Sequence, residues 1–378
     1  GAESLAKVLA QLVTGKAPPE VVQWFRSGRS HPLLKEVSEV DIRPLTAPTS
    51  AWRCTLRGWA RMFKEEVIHA TGNTQFGCGQ PGGATALRHS LEAALLANPT
   101  KALLSIDIKN MHGSLEVDNT ERQVLNNTPR LWPLLAPWIR SPRVHIYRDD
   151  TGALHEIIAE NPLDQGCPSS SLLACISAIP LHNDLKSYGS TFGFQDDTYV
   201  LTEPHKAEDC LRQVPISVAS MGCRVNERKT NAWSTTPLDI QDLGIQQVLD
   251  PPLVMKQPLS IFLATHAQGY ELTRSESVNK LVRARRFLYD KLAELRKFGL
   301  TLQHASCLLR TATAGDITFA QSCHLFPGAF LEELDATLLV ENNKLLNISQ
   351  QEHDGLGIAK DRWFLPTRMG GYGLHSAI

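Results

Sequence analysis

Three aspartates stand in a pattern that suits metal-assisted transfer of a nucleotidyl group. Asp196 and Asp197 are adjacent between two apolar runs, and Asp107 directly follows the apolar run Ala-Leu-Leu-Ser-Ile. Mg²⁺ is a usual cation for such hard oxygen ligands. Two metal ions about 3.5–4 Å apart, held by carboxylates, can stabilise both the attacking and the leaving oxygen. We therefore predict that the trio binds two Mg²⁺ ions, with Mn²⁺ as an alternative, although isolated Asp-Asp pairs are common in solvated turns.

The flanking segments predict the elements that would bring these aspartates together. Residues 102–107 and 193–201 have the apolar pattern of strands, and the second run predicts a hairpin with the Asp-Asp pair at its tip. Between them lies a glycine-containing turn at 165–171, followed by a helix at 169–187. A strand ending in Asp, a turn with a helix, and an Asp-Asp hairpin follow one another in the palm of nucleotidyl-transferring polymerases.

The composition is that of an ordinary globular protein. The 378 residues are 42% hydrophobic and 20% charged, which allows two or three domains. No apolar run reaches the roughly 18–20 residues that span a bilayer, so no membrane partner is expected. The net charge of −1 does not favour nucleic-acid binding by the chain as a whole.

One helix predicted over 278–298 lies in a locally basic region. Residues 274–297 carry eight basic and three acidic side chains. The helix is expected to bury Leu281, Leu288, Leu292 and Leu295 and to turn its arginines outward, where they could contact the phosphates of a duplex. A solvated charged face is the alternative explanation.

Cysteine usage and the first residues bear on the cellular setting. The eight cysteines show no Cys-x-x-Cys spacing, which argues against a zinc site and favours reduced thiols inside a cell. The chain begins Gly-Ala-Glu-Ser, without Met or an apolar leader, so a fragment or a processed chain is the simplest expectation.

A set of short motifs occurs in one order along nearly the whole chain. They are Asn-Thr-Gln-Phe-Gly at 73–77, Pro-Gly-Gly-Ala at 81–84, Ser-Ile-Asp-Ile-Lys-Asn at 105–110, Gln-Gly-Cys-Pro at 165–168, Phe-Gln-Asp-Asp at 194–197, and Leu-Pro with Gly-Gly-Tyr-Gly-Leu between 365 and 374. In this order they resemble the reverse transcriptase domain of non-LTR retrotransposons, especially the site-specific elements that carry a restriction-like endonuclease.

The resemblance implies roles for residues outside the carboxylate trio. Lys35 and Arg43 match positions that hold the incoming triphosphate, a task that suits cationic side chains. Lys229 matches a lysine that is a candidate proton donor to pyrophosphate. Gln165 and Gly166 match a turn that lies beside the template and the nucleotide base.

The expected nucleotide pocket departs from the family's pattern at three positions. Met111 and Gln195 stand where the family has smaller residues. His112 occupies the steric-gate position, where an aromatic ring normally blocks the ribose 2′-hydroxyl. Because imidazole is smaller than a phenyl ring and can donate a hydrogen bond, discrimination against ribonucleotides is expected to be weaker.

These observations together predict an α+β right-hand polymerase with fingers, palm and helical thumb. The expected parts are fingers with N-terminal helices at 1–101, a palm with an antiparallel sheet at 102–270, and a thumb at 271–378. A further fingers segment is expected inside the palm at about 115–160.

The expected function is RNA-directed DNA polymerisation, which extends a DNA primer 3′-hydroxyl with dNTPs on an RNA template. The chain would work with other domains of a larger polyprotein or complex, in the nucleus if it is a retrotransposon product. The alternative is a domesticated, catalytically degenerate relative that serves as a scaffold or an RNA-binding subunit.

Overall fold

The computed structural model describes two compact units, Gly1–Pro251 and Pro252–Ile378. The described residues are 2–14, 16–34, 42–249, 254–256, 262–264, 269–323, 326, 328–346 and 369. The expected boundaries between fingers, palm and thumb stay predictions. None of the helices in these described stretches is long and apolar enough to cross a membrane.

The first unit mixes helices and strands. Its helices are α1 (Ala2–Val13), α2 (Pro19–Arg26), α3 (Ser50–Met62), α4 (Lys64–Thr71), α5 (Gly83–Ala97), α6 (Met111–Ser114), α7 (Val117–Asn127), α8 (Trp132–Ile139), α9 (Ser170–Ser177), α10 (Ile179–Leu185) and α11 (Pro204–Ala219). Its strands are β1 (Gly28–Leu34), β2 (Ile42–Pro48), β3 (Ala102–Ile106), β4 (Ile108–Lys109), β5 (Arg143–Arg148), β6 (Leu154–Ala159), β7 (Gly189–Phe194), β8 (Asp197–Thr202), β9 (Arg224–Val225), β10 (Asn231–Ser234) and β11 (Gln246–Leu249).

A five-stranded sheet in the order β11-β10-β3-β8-β7 forms the centre of this unit. The predicted antiparallel pairing is confirmed from β10 through β7, while β11 joins β10 in parallel. Every residue of β3 is buried, as its unbroken apolar run leads one to expect. The helix predicted over 169–187 is instead two helices, because Pro180, in the first turn of α10, lacks the N–H that would continue α9.

A second, four-stranded sheet has the order β2-β1-β5-β6. β1 and β2 pair antiparallel, and so do β5 and β6. Phe25 and the tryptophans 52, 59 and 138 are buried and pack edge-on or tilted against one another.

The second unit is mainly helical. It contains β12 (Val254–Lys256), β13 (Phe262–Ala264), α12 (Tyr270–Lys297), α13 (Leu302–Cys323) and α14 (Gly328–Leu346). The expectation that α12 turns all its arginines outward is wrong for Arg285, which is 2% exposed, and Leu295 is 49% exposed although it was expected to be buried. The α+β class of the chain is confirmed.

Candidate active site

The central sheet brings the three predicted aspartates to one end. Ile106 in β3 lies opposite Thr198 in β8, so the next residue of β3, Asp107, continues the register towards Asp197. Phe194 pairs with Asp197 across the β7–β8 hairpin, which leaves Gln195 and Asp196 as its two-residue turn. Residues that are directly opposite in an antiparallel pair point to the same face. The register therefore directs Asp107 and Asp197 to one face, beside the turn that carries Asp196.

Electrostatics show that these carboxylates interact. Burial raises the pKa of Asp197 to about 7, with further upward contributions from Asp196 and Asp107 and a downward one from Lys229. Tyr199 lies two residues after Asp197 in β8. Its pKa is also raised, first by burial and then by the charges of Asp197, Asp196 and Asp107. The site thus concentrates negative charge on three partly buried carboxylates.

The residues present fit a hard divalent cation by charge and donor type. Carboxylate oxygens are the ligands that Mg²⁺ prefers, and a cation would offset the repulsion that raises the pKa of Asp197. Across the described part of the chain, however, no group of three or more His, Cys, Asp or Glu side chains is already arranged to hold a metal ion. The three carboxylates would therefore have to rotate to share one.

The hairpin turn is held in a conformation that few side chains adopt. Gln195 has φ of 56°, in the left-handed region. Its N–H donates to Oε1 of Gln75 at 2.9 Å, and the same oxygen accepts the N–H of Gly77 at 2.9 Å. A Cβ added to Gly77 would lie 2.5 Å from the Gln195 nitrogen, so glycine is required there. Sequence analysis missed the role of Gln75, although it noted the Gln-Phe-Gly motif.

The loop between β9 and β10 supports Asp107 and carries Lys229. The N–H of Asn226 donates to the carbonyl of Asp107 at 2.8 Å, and the N–H of Asp107 donates to Oγ1 of Thr230 at 3.3 Å. Lys229 itself is exposed, and its charge lowers the pKa of Asp197. The structure thus brings the predicted proton donor into the electrostatic field of the carboxylates.

Two of the predicted nucleotide contacts, Met111 and His112, have different surroundings. Met111 is 1% exposed and packs in the main hydrophobic core, so its side chain does not face an open cleft. His112 is half-buried, and burial lowers its pKa while Asp196 opposes that effect. His112 therefore lies close to the aspartate turn, whereas a contact between Met111 and a nucleotide stays a prediction.

The predicted Gln165–Gly166 turn lies against β2. The N–H of Thr46 donates to the Gln165 carbonyl at 2.8 Å. Gly166 has φ of 103°, and a Cβ there would lie 2.7 Å from the backbone carbonyl oxygen of Thr46. A side chain at this position would therefore be both strained and sterically blocked. The structure describes this turn but does not test its contact with a template.

Asp164 and Asn161 connect the turn to the segment that carries His112. Arg143 donates two hydrogen bonds to Asp164, at 2.9 and 3.0 Å, and His145 contributes a third contact at 3.0 Å. Since Nδ1 of His145 accepts the N–H of Gly28, its Nε2 carries the proton that Asp164 accepts. The Asn161 amide donates to the carbonyl of His112 at 2.9 Å.

The two predicted triphosphate ligands remain untested. Lys35 lies outside the described residues. The backbone of Arg43 pairs with Leu33 in the β1–β2 hairpin, but its side chain is not described. The Leu-Pro and Gly-Gly motifs near the C-terminus also lie outside the described residues.

Comparison with known proteins finds loose structural similarity only. No family model and no curated protein matches the sequence. Telomerase from Candida albicans in complex with a TWJ fragment of telomeric RNA has a TM-score of 0.45 and 12% identity, with 90% of this chain and 64% of that chain covered. Apo telomerase from Candida tropicalis, truncated from its C-terminal domain, has a TM-score of 0.42 and 11% identity, with 55% and 50% covered.

A polymerase complex inside a dsRNA virus has a TM-score of 0.41 and 12% identity, and 57% of this chain and 22% of that chain are covered. The chain thus spans 50% and 64% of the lengths of the two telomerases. All three TM-scores lie below 0.5, so the functional proposal rests on the geometry of the site.

Proposed function

We propose that this chain is the polymerising part of a reverse transcriptase, which adds dNTPs to a primer 3′-hydroxyl on an RNA template. The observation that carries the proposal is the convergence of Asp107, Asp196 and Asp197 at one end of an antiparallel sheet, where burial and mutual repulsion raise the pKa of Asp197 to about 7. Perturbed carboxylates of this kind cluster at functional sites. The order of the motifs resembles that of non-LTR elements, which supports RNA as the template.

The carboxylates and Lys229 would share the chemical work. Asp107, Asp196 and Asp197 would hold Mg²⁺, which supplies charge stabilisation for the attacking and leaving oxygens. Lys229 is exposed beside them and would donate a proton towards the leaving pyrophosphate. Lys35 and Arg43 would hold the triphosphate, and other domains of a longer chain or complex would supply target binding.

Selection of the nucleotide would depend on His112 and on the Gln165–Gly166 turn. His112 lies close enough to Asp196 for the carboxylate to affect its pKa, which suits a residue beside the sugar of the incoming nucleotide. Met111 packs in the core, and its contact with a nucleotide stays a prediction. Gln195 is held through its backbone, which keeps the aspartate turn in place.

Primer extension tests the proposal directly. Purified protein with Mg²⁺, dNTPs and an RNA template annealed to a DNA primer should extend the primer, and Asp196→Asn should reduce the rate by about 10³-fold or more. Asp209→Asn, an exposed change on α11, is the matched control and should leave the rate unchanged. Absence of extension on RNA and DNA templates, together with retained RNA binding, would support the scaffold alternative instead.

A further inference from the structure

A cavity of about 670 Å³ opens between α2 and the four-stranded sheet. Two of the side chains that line it, Trp24 and Leu154, are 68% and 62% exposed. Ile158 is 65% exposed. It lies on the same face of β6 as Leu154, because the two residues are four positions apart in the strand. Exposed apolar side chains that lie together can mark an interaction site. None of these residues belongs to the proposed polymerase site.

The backbone of β6 is available along this side. β6 is the last strand of its sheet, and within the described residues β5 is its one strand partner. The N–H of Asp149 donates to the carbonyl of Ala153 at 3.0 Å, so these two residues form a hydrogen-bonded pair. The next pair along the hairpin, Arg148 with Leu154, is then a pair without hydrogen bonds between the strands. In an antiparallel pair every second residue directs its N–H and C=O away from the partner. For β6 these residues are Leu154, Glu156 and Ile158.

Within the described part of the chain, this edge lacks the features that usually prevent strand addition. Proteins protect exposed edges with proline, bulges, several charges or a covering element. β6 pairs in regular register over its six residues, contains no proline and carries one acidic residue, Glu156. All its residues from 154 to 158 are exposed. The strand therefore offers both backbone groups and apolar side chains to an incoming strand.

Charge distinguishes among the possible occupants. The lining contains Arg29 and Arg148 but also Glu20 and Glu156, so it has no cationic excess that would favour a nucleic acid. If residues 154–158 of β6 paired antiparallel with the same residues of a second copy, Glu156 would lie opposite Glu156, which is destabilising. A shifted register would place it against an apolar side chain. The favoured occupant carries a cation opposite Glu156.

We propose that β6 and the adjoining face of α2 dock an extended segment of a partner protein. The segment adds antiparallel to β6 and contains the pattern apolar, any residue, Lys or Arg, any residue, apolar. Its cation pairs with Glu156, and its two apolar residues pack against Leu154 and Ile158. Trp24 covers the apolar side of the added strand.

Binding of short labelled peptides to the whole chain tests this proposal. The probe is the peptide Ser-Thr-Val-Thr-Lys-Thr-Ile-Thr-Ser, and the comparison peptide has Glu in place of Lys. Fluorescence anisotropy should show that the Lys peptide binds about three- to tenfold more tightly than the Glu peptide. Glu156→Lys should reverse this preference. Because Glu156 is exposed, the variant should keep the melting temperature of the wild type.

N-methylated peptides test the backbone pairing separately from the charge. Methylation of the Val, Lys and Ile amides, which would face β6, should abolish binding. Methylation of three Thr amides, which would face solvent, should preserve it. Equal effects of the two patterns, no saturable binding, or unchanged preference in Glu156→Lys would overturn the proposal.

Two further outcomes would identify a different occupant. Self-association of the chain that Ile158→Asp abolishes would assign the surface to a second copy. Competition of the bound peptide by a single-stranded RNA, lost in Arg29→Ala with Arg148→Ala, would assign it to nucleic acid. Either result would overturn the proposal of a protein partner without bearing on polymerase activity, which primer extension measures independently.

Discussion

The side-chain oxygen of Gln75 accepts the backbone N–H of Gln195 at 2.9 Å across 120 residues of sequence. Gln75 is 1% exposed, so this bond is shielded from water. It fixes the first residue of the turn whose second residue is Asp196. A buried amide outside the carboxylate trio thus helps to determine where one of its members stands.

Replacing Gln75 should therefore affect both stability and catalysis. Gln75→Ala leaves two backbone N–H groups without their acceptor and should lower the free energy of unfolding by about 1–3 kcal/mol. It should also slow primer extension more than it weakens primer–template binding, because the turn loses its support. Urea unfolding and single-turnover extension measure the two effects. Gln11→Ala, an exposed change on α1, is the control; equal behaviour of both variants would contradict the role of Gln75.

Asp197→Asn should stabilise the metal-free protein while abolishing polymerisation. The pKa of Asp197 is about 7 in the fold against an ordinary value of 3.8, so the folded state holds the extra proton between those pH values. Stability of the metal-free wild type should therefore fall as pH rises from about 4 to 7. At pH 8 in EDTA the variant should be more stable by about 1–3 kcal/mol.

Thermal melting at several pH values measures this difference. The melting temperatures of Asp197→Asn and wild type should converge below about pH 3, where the carboxyl is protonated in both states. Added Mg²⁺ should raise the melting temperature of the wild type at pH 8 more than that of the variant. A variant that is less stable than wild type at pH 8 in EDTA would refute the electrostatic explanation.

Asp164 should show the opposite pH dependence. Burial opposes its ionisation, but the hydrogen bond from His145 and the charge of Arg143 lower its pKa to about 2. The stability that this group contributes is present above about pH 4 and is lost as pH falls towards 2. Asp164→Asn should cost about 3 kcal/mol near neutral pH, because Arg143 remains buried without its anion. Chemical unfolding of this variant beside Asp209→Asn checks the prediction; equal stabilities would contradict it.

His112→Phe should increase the preference for dNTPs over rNTPs. A phenyl ring is larger than imidazole and cannot donate a hydrogen bond to a 2′-hydroxyl, so the ratio of kcat/KM values should rise about tenfold, or ~1.4 kcal/mol. Competition between dCTP and rCTP in primer extension measures this ratio. His69→Phe on α4 is a histidine control outside the site, and an unchanged ratio in His112→Phe would rule out the steric-gate role.

Local patterns in the sequence were sufficient to predict the elements that carry the chemistry. The alternation around Asp196 and the apolar run before Asp107 predicted two strands, because side chains in a strand alternate between faces over a few neighbouring residues. The same local rules predicted a helix over 278–298, which lies within and just beyond α12. They were less reliable at helix ends, where Pro180 divided one predicted helix into two.

Only tertiary structure decided which residues support these elements and which remain uncovered. Gln75 supports a turn 120 residues away, Met111 packs in the core, and Arg285 is buried on a helix expected to expose it. β6 is the last strand of its sheet among the described strands, which its own sequence does not show. Sequence periodicity reports the faces of one element, whereas burial and contact depend on which distant segments pack against each face. The sequence by itself therefore determined the candidate carboxylates, and the fold decided how they are held.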